Sequence, residues 1–395
     1  MMALNRTKGI GAAGANATDR KGVFPVQWLK HAVEKGWIWT EKPDIPQGNF
    51  QPASLDLRLA QRAYRLRASF LPDTDSVEKK LDDLSMGVVD LTDGGILERN
   101  RPYLIPLMEH LRLPGHIKAK TNPRSSTGRL DIFTRVITDC SNKFDEIRPG
   151  YNGRLYLEVL PRTFTIKVRA GLSLNQIRLV RETSRCTDDD LRRAHQDSPI
   201  LFVQEVPVPT ESLALNDGLF LGVDLAGDTK RPVAYRAKKN SQLLDLSLLD
   251  AYDLDDFWEP VHAEPKQRIV LEPEEFYLIL SAECVRIPPQ FAAEMAAYDP
   301  TSGELRTHYA GFFDPGFGHG GSLKGTKAVL EVRAHDVPFI LEHGQKVCKL
   351  QFEHMCAVPE KLYGKDVGSS YHAQTKTLSK HFRQKDNGQG ILFRL

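Results

Sequence analysis

The sequence predicts a mainly β protein in which one unit occurs twice. Two observations carry this: short segments of alternating apolar and polar residues broken by Pro and Gly, and an ordered series of matches between the two halves of the chain. RLYLEVLP (154–161) sets Leu155, Leu157 and Val159 on one face, opposite Arg154, Tyr156 and Glu158. KAVLEVR (327–333) does the same with Ala328, Leu330 and Val332 inward and Glu331 outward. Helices are few: 23–37 has helical spacing with a glycine near its end, and 187–196 opens with acidic residues that suit a helix N-terminus.

The repeat sets the domain organisation. YLIPLMEHLRLPGHIKA (103–119) matches YLILSAECVRIPPQFAA (277–293), and Tyr103/Tyr277 and Pro114/Pro288 are both 174 residues apart. Glu158 then pairs with Glu331, and a glycine follows each glutamate by 13 residues, Gly171 and Gly344. Upstream, LDLRLAQRAYRL (55–66) is echoed weakly by VDLAGDTKRPVAYRA (223–237) through Asp56 and Asp224. This reading divides the chain into a mobile tail (1–22), a first copy (23–205) and a second copy (206–395), with the seam near 200–212.

Composition narrows the class. Of 395 residues, 41% are hydrophobic and 26% charged, ordinary for a globular protein, and the formal net charge of +2 gives no argument for nucleic acid or a membrane surface. No apolar run approaches a bilayer span, and residues 1–22 have no apolar core like that of a signal peptide, so a cytoplasmic protein is expected. Five scattered cysteines without a CxxC pair argue against a disulfide framework and a cysteine-rich zinc site.

Several stretches hold residues with chemical potential. PRSSTGRL (123–130) packs two arginines and two serines into six residues, donors matched to phosphate oxygens as well as to an ordinary turn. Glu158 and Glu331 recur at equivalent places among apolar neighbours, where ionisation is disfavoured and general-base work is favoured; the plain alternative is a solvated strand residue. FDPGFGHGGSLKGTK (313–327) approaches a phosphate-loop pattern, but Thr326 precedes Lys327 and strands flank it, so a hairpin loop is the better reading. His308, His319, His335, His343 and His354 lack metal-ligand spacing, and no GxSxG elbow supports a serine hydrolase.

Taken in order, these motifs resemble the dCTP deaminase branch of the dUTPase-like superfamily, in a long, tandem-duplicated form. QPASLDLRL (51–59) is similar to that family's first motif, PRSSTGRL to its serine–serine–arginine motif, FFDPGF (312–317) with AVLEV to its Asp/Glu segment, and 362–382 to its C-terminal lid. The resemblance implies two distorted jelly-roll or β-barrel domains, threefold or pseudo-threefold packing in a homo-oligomer, and active sites between neighbouring subunits. It implies zinc-independent hydrolysis of dCTP to dUTP and ammonia in pyrimidine deoxynucleotide metabolism; the zinc-deaminase HxE and PCxxC elements are absent from the chain.

The same resemblance assigns roles. Glu331 would be general base and acid, with Glu158 as its alternative; Ser125 and the Ala310 carbonyl would hold the water, and Arg129 would support the intermediate. Arg124, Ser126, Asp314, Val329, Leu330, Tyr363 and Gln374 would bind nucleotide, and Mg²⁺ would arrive on the triphosphate with no direct protein ligand. Each copy departs from the pattern. The first keeps Arg124, Ser125, Ser126 and Arg129, but has Thr138 for the family's Ala and Arg148-Pro149-Gly150 for its Asp-Pro-Gly. The second keeps Ala310, Asp314-Pro315-Gly316 and Glu331, but has AAYDPT (296–301) for the RSSxxR motif and Ser370 for the lid lysine. Together they make one full set. A bifunctional enzyme forming dUMP, a dUTPase and a non-catalytic nucleotide-binding regulator are the alternatives.

Overall fold

A computed structural model of the chain describes residues 20–226, 231–296, 305–307, 311–319, 324–364 and 377–383. It is mainly β. In the first unit, one sheet is built on the antiparallel strands Tyr103–Arg112, Asn152–Pro161 and Ile132–Ile137, and a second on Ile117–Pro123 and Ser173–Arg181. The second unit repeats the plan: Phe276–Val285 pairs with Thr326–Ala334, and Phe291–Ala296 with Lys346–His354. Buried aliphatic and aromatic side chains form two large cores, and the one centred on the first unit also takes in Tyr235, Leu244, Phe257, Trp258, Phe276 and Phe382 of the second.

The repeat is reproduced bond by bond. The Tyr103 hydroxyl accepts from the Glu98 backbone N–H and the Tyr277 hydroxyl from that of Glu272, both at 3.1 Å. Glu109 accepts from the Arg58 N–H at 2.7 Å, and Glu283 from the Gly222 N–H at 2.9 Å. These equivalences correct the upstream alignment. Strand Leu55–Arg58 matches Leu219–Gly222, each with a register shift before its last residue, so Asp56 is equivalent to Phe220. Asp224 falls opposite Ala60: both donate a backbone N–H to the neighbouring strand, to Leu280 and Pro106. The shared apolar alternation leaves such a strand free to slide by an even number of residues in a sequence comparison.

Both expected helices form. The α1 helix (Val26–Glu34) buries Val26, Leu29 and Ala32. The α4 helix (Asp188–Asp197) starts with a capping box between Thr187 and Asp190. Leu191 and Ala194 of α4, with Ile200 and Leu201, belong to the second core, so packing with the second unit begins well before residue 206. No described helix is long and apolar enough to cross a membrane.

The units are interlocked. Leu244–Asp245 of the second pairs in parallel with Ile166–Val168 of the first, and Val23 bridges to Met355. Gly22 runs so close to that partner that a Cβ there would lie 2.5 Å from the His354 carbonyl oxygen, at φ +140°. Gly22→Ala is therefore expected to destabilise the chain by roughly 1–3 kcal/mol, read as a lowered denaturant midpoint; an unchanged midpoint would mean that this crossing is loose.

Candidate active site

The RSSTGR stretch leaves strand Ile117–Pro123 and turns immediately into the one-turn α3 (Ser125–Gly128). Its partner is the Thr326–Ala334 strand of the second unit. The Glu331 carboxylate lies so close to Gly128 that a Cβ at that glycine would sit 2.5 Å from Oε2 and 2.6 Å from Oε1. Only a residue without a side chain permits this approach. Arg124, Ser125 and Arg129 line one cleft together with Gly311, Phe312, Phe313, Ala328, Val329, Glu331 and Tyr363. The two incomplete motif sets thus meet within a single chain.

Electrostatics follow from burial. Glu331 is 8% exposed, and loss of water pushes its pKa well above the ordinary carboxylate value; the positive charge of Arg129 opposes the shift and Asp131 adds to it. Asp56 is pushed up to about 6 by burial, against the pull of Arg124, whose guanidinium it meets at 3.1 Å. Asp314 is raised by burial and held by Arg178 at 2.9 Å. The buried Arg129 donates through Nη1 to the carbonyls of Thr377 (3.3 Å) and Leu378 (3.4 Å), tying the chain's last described segment to α3. Ser379 Oγ donates to the Ser126 carbonyl at 3.2 Å in the same clasp.

The DPGF turn carries Tyr363. Gly316 has φ +93°, and a Cβ there would lie 2.8 Å from Leu362 Cβ and 3.0 Å from Tyr363 N. The Tyr363 N–H donates to the Pro315 carbonyl at 2.8 Å, and its ring centroid is 5.5 Å from that of Phe317. Val329 and Leu330 divide by face. Side chains alternate along the strand, so Val329 and Glu331 line the cleft while Leu330 is wholly buried in the second core, leaving only its backbone for a ligand. Lys327 of the glycine-rich loop forms an ion pair with Asp224 and is not a cleft residue. Ala310, Ser370 and Gln374 lie outside the described residues.

Glu158 is neither solvated nor placed like Glu331. It is 1% exposed and ion-paired with Arg135 at 2.6 Å on the neighbouring strand. The face equivalent to the cleft wall is covered from within the first unit. Tyr156, the counterpart of Val329, packs with Val77 and Leu81 of α2 (Val77–Leu84), and its hydroxyl donates to Glu78 at 3.2 Å. Arg148, at the aspartate position, donates to the Asp139 and Cys140 carbonyls, both at 3.1 Å.

The sequence reading missed Arg178 and the 377–380 clasp. Arg178 is fully buried, and its guanidinium reaches across the seam to the carbonyls of Ala293 (2.9 Å) and Phe313 (3.1 Å) and stacks 3.9 Å from the Phe312 ring centroid. An arginine inside the apolar run NQIRLV was the available signal. Among the described residues no group of His, Cys, Asp and Glu is arranged to hold a metal ion.

The raised Glu331 pKa predicts a pH signature. The folded chain binds a proton that the unfolded chain has released, so this group's contribution falls as pH rises from its unfolded value towards its folded one. Glu331→Gln removes that loss: its melting temperature should decline less than the wild type's between pH 5 and 8, and parallel profiles would contradict the assigned shift.

Comparison with known proteins agrees with this geometry. Profiles of the 2'-deoxycytidine 5'-triphosphate deaminase N-terminal and C-terminal domains match residues 20–183 and 187–382. The crystal structure of 2'-deoxycytidine 5'-triphosphate deaminase from Agrobacterium tumefaciens superposes with a TM-score of 0.82 at 43% identity, covering 88% of this chain and 100% of that one. A dCTP deaminase from Acidianus ambivalens is 30% identical over 145 residues, 36% of this chain and 75% of the relative. A dUMP-forming dCTP deaminase from Methanothermobacter thermautotrophicus is 30% identical over 132 residues, 33% of this chain and 64% of the relative. With both domains matched in order and a full-length structural relative at this identity, the chain belongs to the 2'-deoxycytidine 5'-triphosphate deaminase family, hydrolases acting on C–N bonds.

Proposed function

We propose that the chain deaminates dCTP hydrolytically at one composite site, with Glu331 as the proton-transfer group. The observation that carries this reading is the buried Glu331 carboxylate, its proton affinity raised by loss of water, set against the Ser125–Arg129 turn of the other unit. The base would lie between Phe312, Val329 and Tyr363, with its phosphates towards Arg124 and, in the adjoining cavity, Ser126, and the sugar hydroxyl towards Asp314, next in sequence to the cleft residue Phe313. Water held by Ser125 and the Ala310 carbonyl gives its proton to Glu331 as its oxygen bonds to C4 of cytosine. N3 takes that proton through Glu331 as the C4–N3 double bond opens; the added hydroxyl then gives its own proton through Glu331 to the amino group, the C4–N bond to that group breaks, and ammonia leaves as the C4 carbonyl forms. Arg129 supports the charge that develops in this dry setting. Leu330 contributes by its backbone, and Gln374 with Tyr363 would close over the nucleotide.

Mg²⁺ fits as a companion of the triphosphate: Arg124 occupies Asp56 and Arg178 occupies Asp314, which leaves cationic rather than anionic groups facing the phosphates. The ion would neutralise phosphate charge. Threefold assembly, expected from the resemblance, would add contacts outside this intrachain site. A second reading, direct formation of dUMP, is favoured by the match to relatives named as dUMP-forming.

Incubation with dCTP and Mg²⁺, assaying ammonia and separating nucleotides, tests both. Ammonia with dUTP supports the first reading, ammonia with dUMP and pyrophosphate the second, and tight binding without turnover contradicts both. Glu331→Gln should lower kcat by about 10²–10⁴-fold while retaining dCTP binding, the usual range for a lost general acid–base. Glu158→Gln should change kcat far less; the opposite ranking would reverse the division of labour. Arg129→Ala should also impair turnover. Gly128→Ala should cost about 10²-fold in kcat by displacing the carboxylate, without a matching loss of melting temperature; full activity would show that the close approach is dispensable.

A further inference from the structure

Just past the α3 turn, Asp131 makes a second contact between that turn and the strand carrying Glu331. Its backbone N–H donates to the Gly128 carbonyl at 2.9 Å, so it is tied to the very residue against which Glu331 packs. Asp131 has φ +55°, a left-handed conformation that glycine adopts at lower cost; what an aspartate adds at this position is its carboxylate. That carboxylate is buried. Its Oδ2 accepts from Thr163 Oγ at 2.5 Å and pairs with the Arg333 guanidinium. Arg333 lies two residues after Glu331, on the same face of the Thr326–Ala334 strand. The contacts close a ring: Glu331 to Gly128, Gly128 to Asp131, Asp131 to Arg333, and Arg333 along the strand back to Glu331.

Both sides of the ring are anchored outside it. Arg333 also donates to the Glu274 carbonyl and meets the Glu274 carboxylate at 3.6 Å. That carboxylate in turn meets Arg162 at 2.8 Å and His335 at 3.0 Å. The Arg162 N–H donates to the Asp131 carbonyl at 2.9 Å, which returns to the first unit. Among the described residues, the titratable and charged groups about Glu331 are Arg129 and Asp131 of the first unit, Arg333 on its own strand, and Arg124 and Tyr363 in the cleft. The neighbouring strands set Leu278 opposite Glu331 and Arg306 opposite Arg333. Asp131 is the anion of this set. Its charge and that of Arg129 act on the Glu331 proton in opposite senses, and between buried groups such effects are only weakly screened.

We propose that Asp131, locked in place by Arg333 and Thr163, is a positioning residue for Glu331, and that its fixed negative charge sets the pH range in which that carboxyl transfers protons. The proposal rests on the reading of Glu331 as the proton-transfer group. It is tested by the pH dependence of kcat/KM for ammonia release from dCTP in the wild type, Asp131→Asn and Arg333→Lys. In parallel, the Glu331 carboxyl is titrated by infrared difference spectroscopy and identified by its absence from Glu331→Gln. A base must be ionised to take the proton of water, so turnover rises with pH through the pKa of Glu331. Removing a neighbouring negative charge makes that ionisation easier. Asp131→Asn should therefore move both the rising limb and the infrared titration to lower pH, by about one pH unit. Arg333→Lys keeps both charges of the pair and should leave the two curves near their wild-type positions. An infrared titration that stays put in Asp131→Asn, or that Arg333→Lys moves as far, overturns the proposal and leaves the reading of Glu331 standing. An infrared titration that moves while the rate limb stays, or a wild type that releases no ammonia, overturns that reading and this role with it. If Asp131→Asn is unfolded by circular dichroism, the double variant Asp131→Asn/Arg333→Gln, which removes both charges of the buried pair, decides: a shift in the same direction supports the role, and none overturns it.

Discussion

The apposition of the Glu331 carboxylate to the bare backbone of Gly128 is the constraint on which the candidate site depends. It fixes the spacing between the two units at one point and removes water from the carboxylate. That raises its proton affinity, and it sets the acid against a turn carrying two serines and two arginines. Neither unit supplies this environment alone. The strand gives a glutamate on an alternating face, and the loop gives donors with no acid between them.

Keeping two β units in one register to this tolerance requires directional contacts across the seam, and these are polar. Arg178 reaches Asp314 and two carbonyls; Lys120 meets Glu294 at 2.5 Å and Glu353 at 2.7 Å; Arg333 pairs with Asp131. Buried ion pairs of this kind add little net stability, because desolvation offsets their attraction, but removing one partner is costly and wrong registers leave charges unpaired. The seam is thus better suited to specifying geometry than to strengthening the fold. The clasp from 377 to 383 works similarly: Arg129 is held by two carbonyls while Phe382 anchors the segment in aromatic packing.

Much of this was legible in the sequence, because it rests on local pattern. Alternation gave the strands, the TDDD start gave α4, and the recurrence of Tyr103/Tyr277 and Glu158/Glu331 gave the duplication. What was not legible depends on tertiary partners. Glu158 sits on a strand face like that of Glu331, and only the fold shows Arg135 beside it and α2 over Tyr156. Asp56 was matched to Asp224 because sliding along an apolar alternation leaves no local trace. Arg178 stands out only as an arginine in an apolar run, with nothing local to name its partners, and the seam near 200–212 hides that α4 packs with the second unit.

The central claim is that the duplicated chain makes one nucleotide site, with the first unit's own equivalent face closed by α2. The most direct measurement is the stoichiometry of dCTP binding to Glu331→Gln by titration calorimetry, with chain concentration fixed by amino-acid analysis. One nucleotide per chain is the predicted result. Two per chain would show that the first unit keeps a working site of its own, and would contradict the account.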